Sequence, residues 1–290
     1  PWANYGKVKN EGMEFSINYM KNFGKDWTVN FRANFTYAKN TVVEADEPPG
    51  RIGTHRAMTG QSMNTLWGLT AERLFTADDF DADGNLLPGI PVQSVGATTV
   101  RPGDIKYVDV NGDGEVTEDD EGYIGGTYDP RIVYGFGATV RFKWIDFGFF
   151  FQGIGDSHRI IGSDLFLPGS RGELSAMFFT NYEDRWTEEN PSQDVFYPRL
   201  DYVQNKNNYR ASTWWKKDMS FLRCKNIEIG YSFSPAVLKT LHLTNLRLYV
   251  SGNDLFYFSK FKLWDPEINS DNGNKYPGMA SVMFGLNLGF

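Results

Sequence analysis

Polar and apolar residues alternate with a period of two along much of this sequence. Near its end, Val282, Phe284, Leu286, Leu288 and Phe290 share one face of a strand, and Ser281, Gly285, Asn287 and Gly289 share the other. Successive strand side chains point to opposite faces, so the pattern predicts one oily face and one face of polar or small residues. The same alternation predicts strands around 13–19, 27–37, 132–142, 145–151 and 227–233, with Phe15, Phe31, Phe136, Phe149 and Ile229 on the apolar side. Arg32, Arg141, Glu228 and Asn30 fall on the other side. A strand crossing a bilayer needs ~9–11 residues of such alternation, with aromatics toward its ends. The expected fold class is therefore all-β: a membrane-spanning antiparallel β-barrel with its apolar side to lipid and its polar side to a hydrated interior. A soluble all-β protein with large loops is the alternative.

The segments between these runs sort by length. Those at 21–26, 143–144 and 234–245 are short, and those at 40–129, 155–215 and 260–278 are long. An up-and-down barrel alternates in this way when its long connections are extracellular. About seven membrane strands are expected. Single-chain bacterial barrels have even strand counts, so at least one further strand is expected before residue 1, and the opening Pro1-Trp2 reads as that of a fragment or processed product. Inside the long segments the sequence predicts a local hairpin over 62–75, an acidic turn at 78–84 and a helix over 173–186. That helix should stop at Thr187-Glu188-Glu189-Asn190-Pro191.

Composition changes the picture in two places. The 290 residues are 41% hydrophobic and 16% aromatic, with a mean hydropathy of −0.44. No stretch approaches the ~20 apolar residues of a membrane helix, whereas barrels escape such scans because half of each strand is polar. A net charge of −7 argues against a nucleic-acid partner and fits acidic surface loops. The single cysteine, Cys224, excludes an internal disulfide and reads as a packed thiol on a strand. His55, His158 and His242 have no ligand spacing, and there is no Gly-x-Ser-x-Gly elbow, phosphate loop or Cys-x-x-Cys pair. No catalytic residue is singled out, and the chain is not expected to be an enzyme.

One segment carries metal chemistry. Over 109–120, Asp109, Asn111 and Asp113 take positions 1, 3 and 5 of an EF-hand loop, and Gly114 permits the sharp turn. The Glu115 carbonyl would face the ion, and Asp120 takes the closing position usually held by Glu. Calcium wants several hard oxygens at once, and this spacing curls them around one point. The flanking Ile105 and Tyr107 read as strand, so a paired EF-hand is not expected, and a metal-free loop of Asx-turns is the alternative. No organic cofactor is expected.

Specific motifs then appear in order. Pro102-Gly103-Asp104-Ile105-Lys106-Tyr107-Val108-Asp109-Val110-Asn111-Gly112-Asp113-Gly114 is followed by Tyr134-Gly135-Phe136, Phe150-Phe151-Gln152-Gly153 and Arg185-Trp186-Thr187-Glu188-Glu189-Asn190-Pro191. Tyr197-Pro198-Arg199-Leu200, Phe221-Leu222-Arg223-Cys224-Lys225-Asn226-Ile227, Leu246-Arg247-Leu248-Tyr249-Val250-Ser251-Gly252-Asn253 and Asp265-Pro266-Glu267 complete the set. Over nearly its whole length the chain resembles the SusC/RagA family of TonB-dependent outer-membrane transporters; Cys224 stands where that family usually has an aliphatic residue. The resemblance implies the C-terminal part of a 22-stranded barrel, plugged by an N-terminal domain that has no counterpart here. It implies import of oligosaccharides or peptides, TonB contacts made by the absent N-terminal part, and a SusD-like surface lipoprotein as partner. Gly285-x-x-Leu288-x-Phe290 resembles the signal read by the outer-membrane assembly machinery. Substrate-contacting residues are not identified. Trp186, Tyr197, Tyr202, Tyr209, Trp214, Trp215, Trp264 and Tyr276 are aromatics on or near long loops, free to stack on substrate or to pack loop against loop. A passive porin, a soluble carbohydrate-binding β-domain and an outer-membrane hydrolase stay open as other classes.

Overall fold

The alternation becomes one sheet. The computed structural model describes residues 5–94, 99–162, 167, 182–201 and 205–290. Its long strands are β1 (Lys7–Phe23), β2 (Trp27–Glu44), β3 (Ile132–Phe142), β4 (Ile145–Gly155), β5 (Phe221–Ser232), β6 (Asn245–Ser259) and β7 (Ser281–Gly289). They form a seven-stranded sheet in sequence order, and every pairing from β2 through β7 is antiparallel.

Register follows from the period. Trp27 pairs with Phe142 and Val29 with Val140; Phe147 sits between Val140 and Ile229; Ile229 pairs with Val250, and Val250 with Phe284. A slip of one residue would turn one strand's apolar side to the polar face, so the pattern fixes the pairing. The apolar face is uncovered: Phe15 is 61% exposed, Ile229 54%, Leu286 54% and Phe284 83%. A sandwich would bury these residues between two sheets. Instead Phe31, Phe136, Phe149 and Leu286 fall on one face of a single sheet, and such a broad apolar patch marks a surface that meets something other than water. Among the described residues no helix is long and apolar enough to cross a membrane.

On the opposite face, size complements size. Tyr249 lies across Gly285, where a Cβ would overlap its ring, and on the apolar face Tyr134 does the same over Gly153. An aromatic covering a strand glycine fills the gap and shields the backbone. The register shifts around Lys225, between Phe150 and Phe151 in the β4–β5 pairing and between Cys224 and Asn226 in the β5–β6 pairing, and Asp254 takes a φ of 50°. This bulge puts Cys224 in line with Phe151 and Phe256 on the apolar face, where it is fully buried.

Short connections join the strands at one end of the sheet. Gly24 (φ 63°) and Lys143 (φ 53°) take the left-handed backbone that tight turns demand. The third short connection is more than a turn. It holds a helix, α1 (Pro235–Leu241), with Ser234 at its N-cap, Pro235 at its start and His242 left-handed at its C-cap.

A second compact unit is drawn chiefly from Asn40–Tyr128 and His158–Lys217. Its core is Leu69, Leu74, Ile105, Tyr107, Val116 and Trp186. The expected hairpin over 62–75 does not form. Its two strands, Thr65–Gly68 and Ala71–Leu74, pair instead with Gly122–Thr127 and Ile105–Tyr107. The link between them is committed elsewhere: Leu69 N donates to the Ala211 carbonyl and Thr213 N to that of Leu69. Most of the helix expected over 173–186 lies outside the described residues. Of its described end, Tyr182 is helical, and the segment has left the helix by Arg185, which bridges in parallel to Tyr197.

Candidate functional site

Three of the motifs quoted above, at 102–114, 185–191 and 197–200, meet in the loop unit around one buried carboxylate. Asp104 is fully buried. It accepts hydrogen bonds from Arg199 Nε at 3.0 Å, Asn205 Nδ2 at 2.9 Å, Asn208 Nδ2 at 2.9 Å and the Arg101 amide at 2.8 Å. A buried charge persists only when paired and hydrogen-bonded, and Asp104 meets both conditions. Gly103, beside it, has a φ of 88°, and a Cβ there would enter the Trp186 ring; glycine serves both needs. The Arg199 amide donates to the Gly103 carbonyl and the Trp186 amide to that of Tyr197. Tyr107 and Trp215 close the cluster, their Oη and Nε1 donating to the carbonyls of Asn207 and Asn208 at 2.7 Å each. Burial pushes the Tyr107 phenol well above its ordinary range. Close by in sequence, the hydrogen bonds from Arg73 hold the Asp79 carboxyl down to about 2.

The acidic loop follows directly. Asp109 accepts from the amides of Gly112 and Gly114 at 2.6 and 2.8 Å, Asn111 Oδ1 from Asp113 N at 2.8 Å, and Asp113 Oδ1 from Glu115 N at 2.9 Å. Asp120 Oδ1 accepts from Val110 N and Asn111 N, and its Oδ2 from Thr117 N, drawing the two ends of the loop together. Glu115 lies in a two-residue strand parallel to Val92–Gln93. Among the described residues no group of three or more His, Cys, Asp or Glu side chains converges as a metal site. The loop is thus wound by its own carboxylates, each of which keeps unshared lone pairs.

In the sheet, the polar face is laced with charge. Arg247 of β6 donates to Asp146 of β4 (Nε 3.1 Å, Nη2 2.5 Å) and to Glu228 of β5 (2.6 Å). Arg223 pairs with Asp265 and Glu267, and Lys225 with Glu267 at 2.8 Å and Asp254 at 3.0 Å. The segment after β6 therefore begins by folding back onto β5. Ionised groups bridging strands on one face, with bare aromatics on the other, describe a wall between water and an apolar medium.

No family model matches the chain. The chain is, however, 28% identical to "TonB-dependent receptor P3" of Formosa agariphila over 99% of its length and 29% of that protein. It is 24% identical to "TonB-dependent receptor SusC" of Bacteroides thetaiotaomicron over 99% of its length and 27% of that protein. In three dimensions it superposes on a solved structure of the RagAB peptide transporter with a TM-score of 0.71 at 22% identity, covering 99% of this chain and 30% of that one.

The chain is SusC/RagA-like.

It spans about 30% of the length of the relatives it matches. The all-β barrel portion expected from the alternation is what the sheet and the structural neighbour display. Of the loop aromatics in this SusC/RagA-like chain, Trp186, Tyr197 and Trp215 are buried and pack loop against loop, whereas Tyr276 is 80% exposed; Tyr202 lies outside the described residues. Sequence reasoning had no means of finding the Asp104 cluster, because Arg199 and Asn208 lie 95 and 104 residues away.

Proposed function

We propose that this chain forms wall and long connections of an outer-membrane importer. In this reading the importer is driven through TonB, works with a SusD-like surface lipoprotein and takes up oligosaccharides or peptides. One observation carries the proposal: a sheet apolar on one face and charged on the other, aligned over 99% of the chain with receptors named TonB-dependent. The long segments 40–129, 155–215 and 260–278 are then extracellular, and the short turns periplasmic. The neighbour titled a peptide transporter keeps peptides in the substrate range. The test is uptake of labelled oligosaccharides and peptides by cells with and without TonB, together with affinity purification of the full-length protein. TonB-dependent uptake and a co-purifying lipoprotein are expected. Uptake that persists without TonB would establish a passive porin instead.

We also propose that Asp109, Asn111, Asp113, Asp120 and the Glu115 carbonyl hold calcium. The wound geometry of the loop supports this, since Asp109 already accepts from the fourth and sixth residues of the template. Calorimetry of the full-length protein should show a higher melting temperature with millimolar calcium than with chelator. An unchanged transition discards the ion.

Gly285, Leu288 and Phe290 we assign to the assembly signal. Leu288 on β7 is 47% exposed and Phe290, just past it, 90%, open to a receptor that pairs with strand ends. Deleting Phe290 is expected to lower the amount of protein in the outer-membrane fraction several-fold. Unchanged membrane levels would refute the assignment.

A further inference from the structure

The apolar side of the sheet carries a recess. Ile145, Ile229, Tyr231, Leu248, Val250 and Phe284 line a hollow of about 470 Å³. They fall in two adjacent rows of that face: Tyr231 pairs with Ile145 and Leu248, and Val250 with Ile229 and Phe284. Between the Tyr231 ring of β5 and the Phe284 ring of β7, strand β6 presents Leu248 and Val250, so the wall dips where its side chains are smaller. The hollow sits at the short-turn end. Ile145 opens β4 directly after the turn at 143–144, and Tyr231 is the next-to-last residue of β5. Rings gather at that rim, as in the aromatic belt of a membrane interface: Tyr231 meets Phe233 edge-on at 5.0 Å, and Trp27 meets Phe142 at 4.4 Å between centroids. A cation stands among them. Lys143 Nζ lies over the Phe142 ring, 5.4 Å from its centroid, and Phe142 pairs with Ile145 of the hollow. The Asp26 carboxylate is 3.7 Å from this ammonium and both side chains are half-exposed, so the ammonium keeps donors for a second acceptor.

A flat apolar wall meets lipid chains without preference, whereas a recess surrounds one chain with more contacts. An ammonium at headgroup height adds attraction for a phosphate. We propose that the hollow and Lys143 together hold one glycerophospholipid of the periplasmic leaflet, an acyl chain lying between Tyr231 and Phe284 and the headgroup phosphate beside the Lys143 ammonium. This rests on the barrel reading, with the short turns in the periplasm, and adds a bound lipid to it. The site faces away from the lumen, so nothing that fills the barrel interior reaches it.

The test is native mass spectrometry of the delipidated full-length protein in detergent, titrated with phosphatidylglycerol and with diacylglycerol of the same chains. The first phosphatidylglycerol is expected to bind several-fold more tightly than later ones, and several-fold more tightly than diacylglycerol. Val250→Trp, which fills the hollow, should weaken the first binding of both probes. Val29→Trp, in the same row of the apolar face but outside the hollow, should change neither. Lys143→Asn, which suits the left-handed backbone of that turn (φ 53° at 143), should reduce phosphatidylglycerol to the affinity of diacylglycerol. Equal binding of first and later lipids overturns the site, as does retention of the first lipid in Val250→Trp with normal heat-modifiable folding. Loss in Val250→Trp but not in Lys143→Asn would mean a chain held without its headgroup, and overturns the two-point site. TonB-dependent uptake tests the importer separately and does not depend on this lipid.

Discussion

Replacing Asp104 with alanine is expected to destabilise the loop unit by about 3–5 kcal/mol, the usual result of breaking a buried ion pair from one side. The reason lies in what is left behind. Arg199, Asn205 and Asn208 all aim N–H groups at this carboxylate, and removing it strands two amides away from water and leaves the largely buried Arg199 guanidinium with Asp201 as its remaining carboxylate partner. The damage should spread along defined contacts. Asn208 also caps the Ile105 amide through Oδ1 at 2.9 Å, and Ile105 belongs to the core with Leu74 and Tyr107. Hydrogen exchange in the full-length protein should show amides of 101–108 and 197–199 losing protection, with β3 and β4 unaffected. Protection lost equally in β3 and β4 would mean that the loop unit does not fold as a separate cooperative element. The double replacement Asp104→Leu with Arg199→Met should recover part of the loss, since it removes both charges.

Placing arginine at Phe149 is expected to cost about 2–4 kcal/mol, the penalty for a cation at the bilayer midplane on the lipid side of a barrel. Phe149 pairs with Ala138 and Ile227 near the middle of its strand, on the apolar face. One register step away, Gly148 pairs with Thr139 and Glu228 on the polar face. Arginine at Thr139 meets water rather than hydrocarbon and should be near neutral. The contrast between the two positions is the informative quantity. It can be measured as the fraction of full-length protein that folds into phosphatidylcholine vesicles, scored by the heat-modifiable gel shift. Equal penalties at 149 and 139 would mean that the two faces do not meet different media.

The wall of this protein is legible in its sequence because a period of two is a local signal that pairing only amplifies. Phe147, Ile229, Val250 and Phe284 line up across four strands, and each could be placed on its face without knowing its neighbour. The strands at 65–68 and 71–74 were visible too, but their partners were not, because pairing there is set by distant segments at 122–127 and 105–107. Helix α1 left a readable trace in Ser234-Pro235 and in the spacing of Val237, Leu238 and Leu241. A short connection between strands gave that trace no weight. The Asp104 cluster lay beyond sequence reasoning for the same reason. Its chemistry depends on a glycine, Gly103, that makes room for a ring supplied from elsewhere in the chain. The sequence marks such a glycine only as a small residue.

The central claim is that the two faces of this sheet meet different solvents. The most direct measurement is a nitroxide scan along β7 of the full-length protein in phospholipid vesicles, with Cys224 replaced by alanine and single cysteines placed from 282 to 288. Oxygen, which partitions into hydrocarbon, should collide most with labels at 282, 284, 286 and 288. A water-soluble nickel chelate should collide most with those at 283, 285 and 287. Accessibility that fails to alternate along the strand, or alternates with the nickel maxima at 284 and 286, would contradict the account.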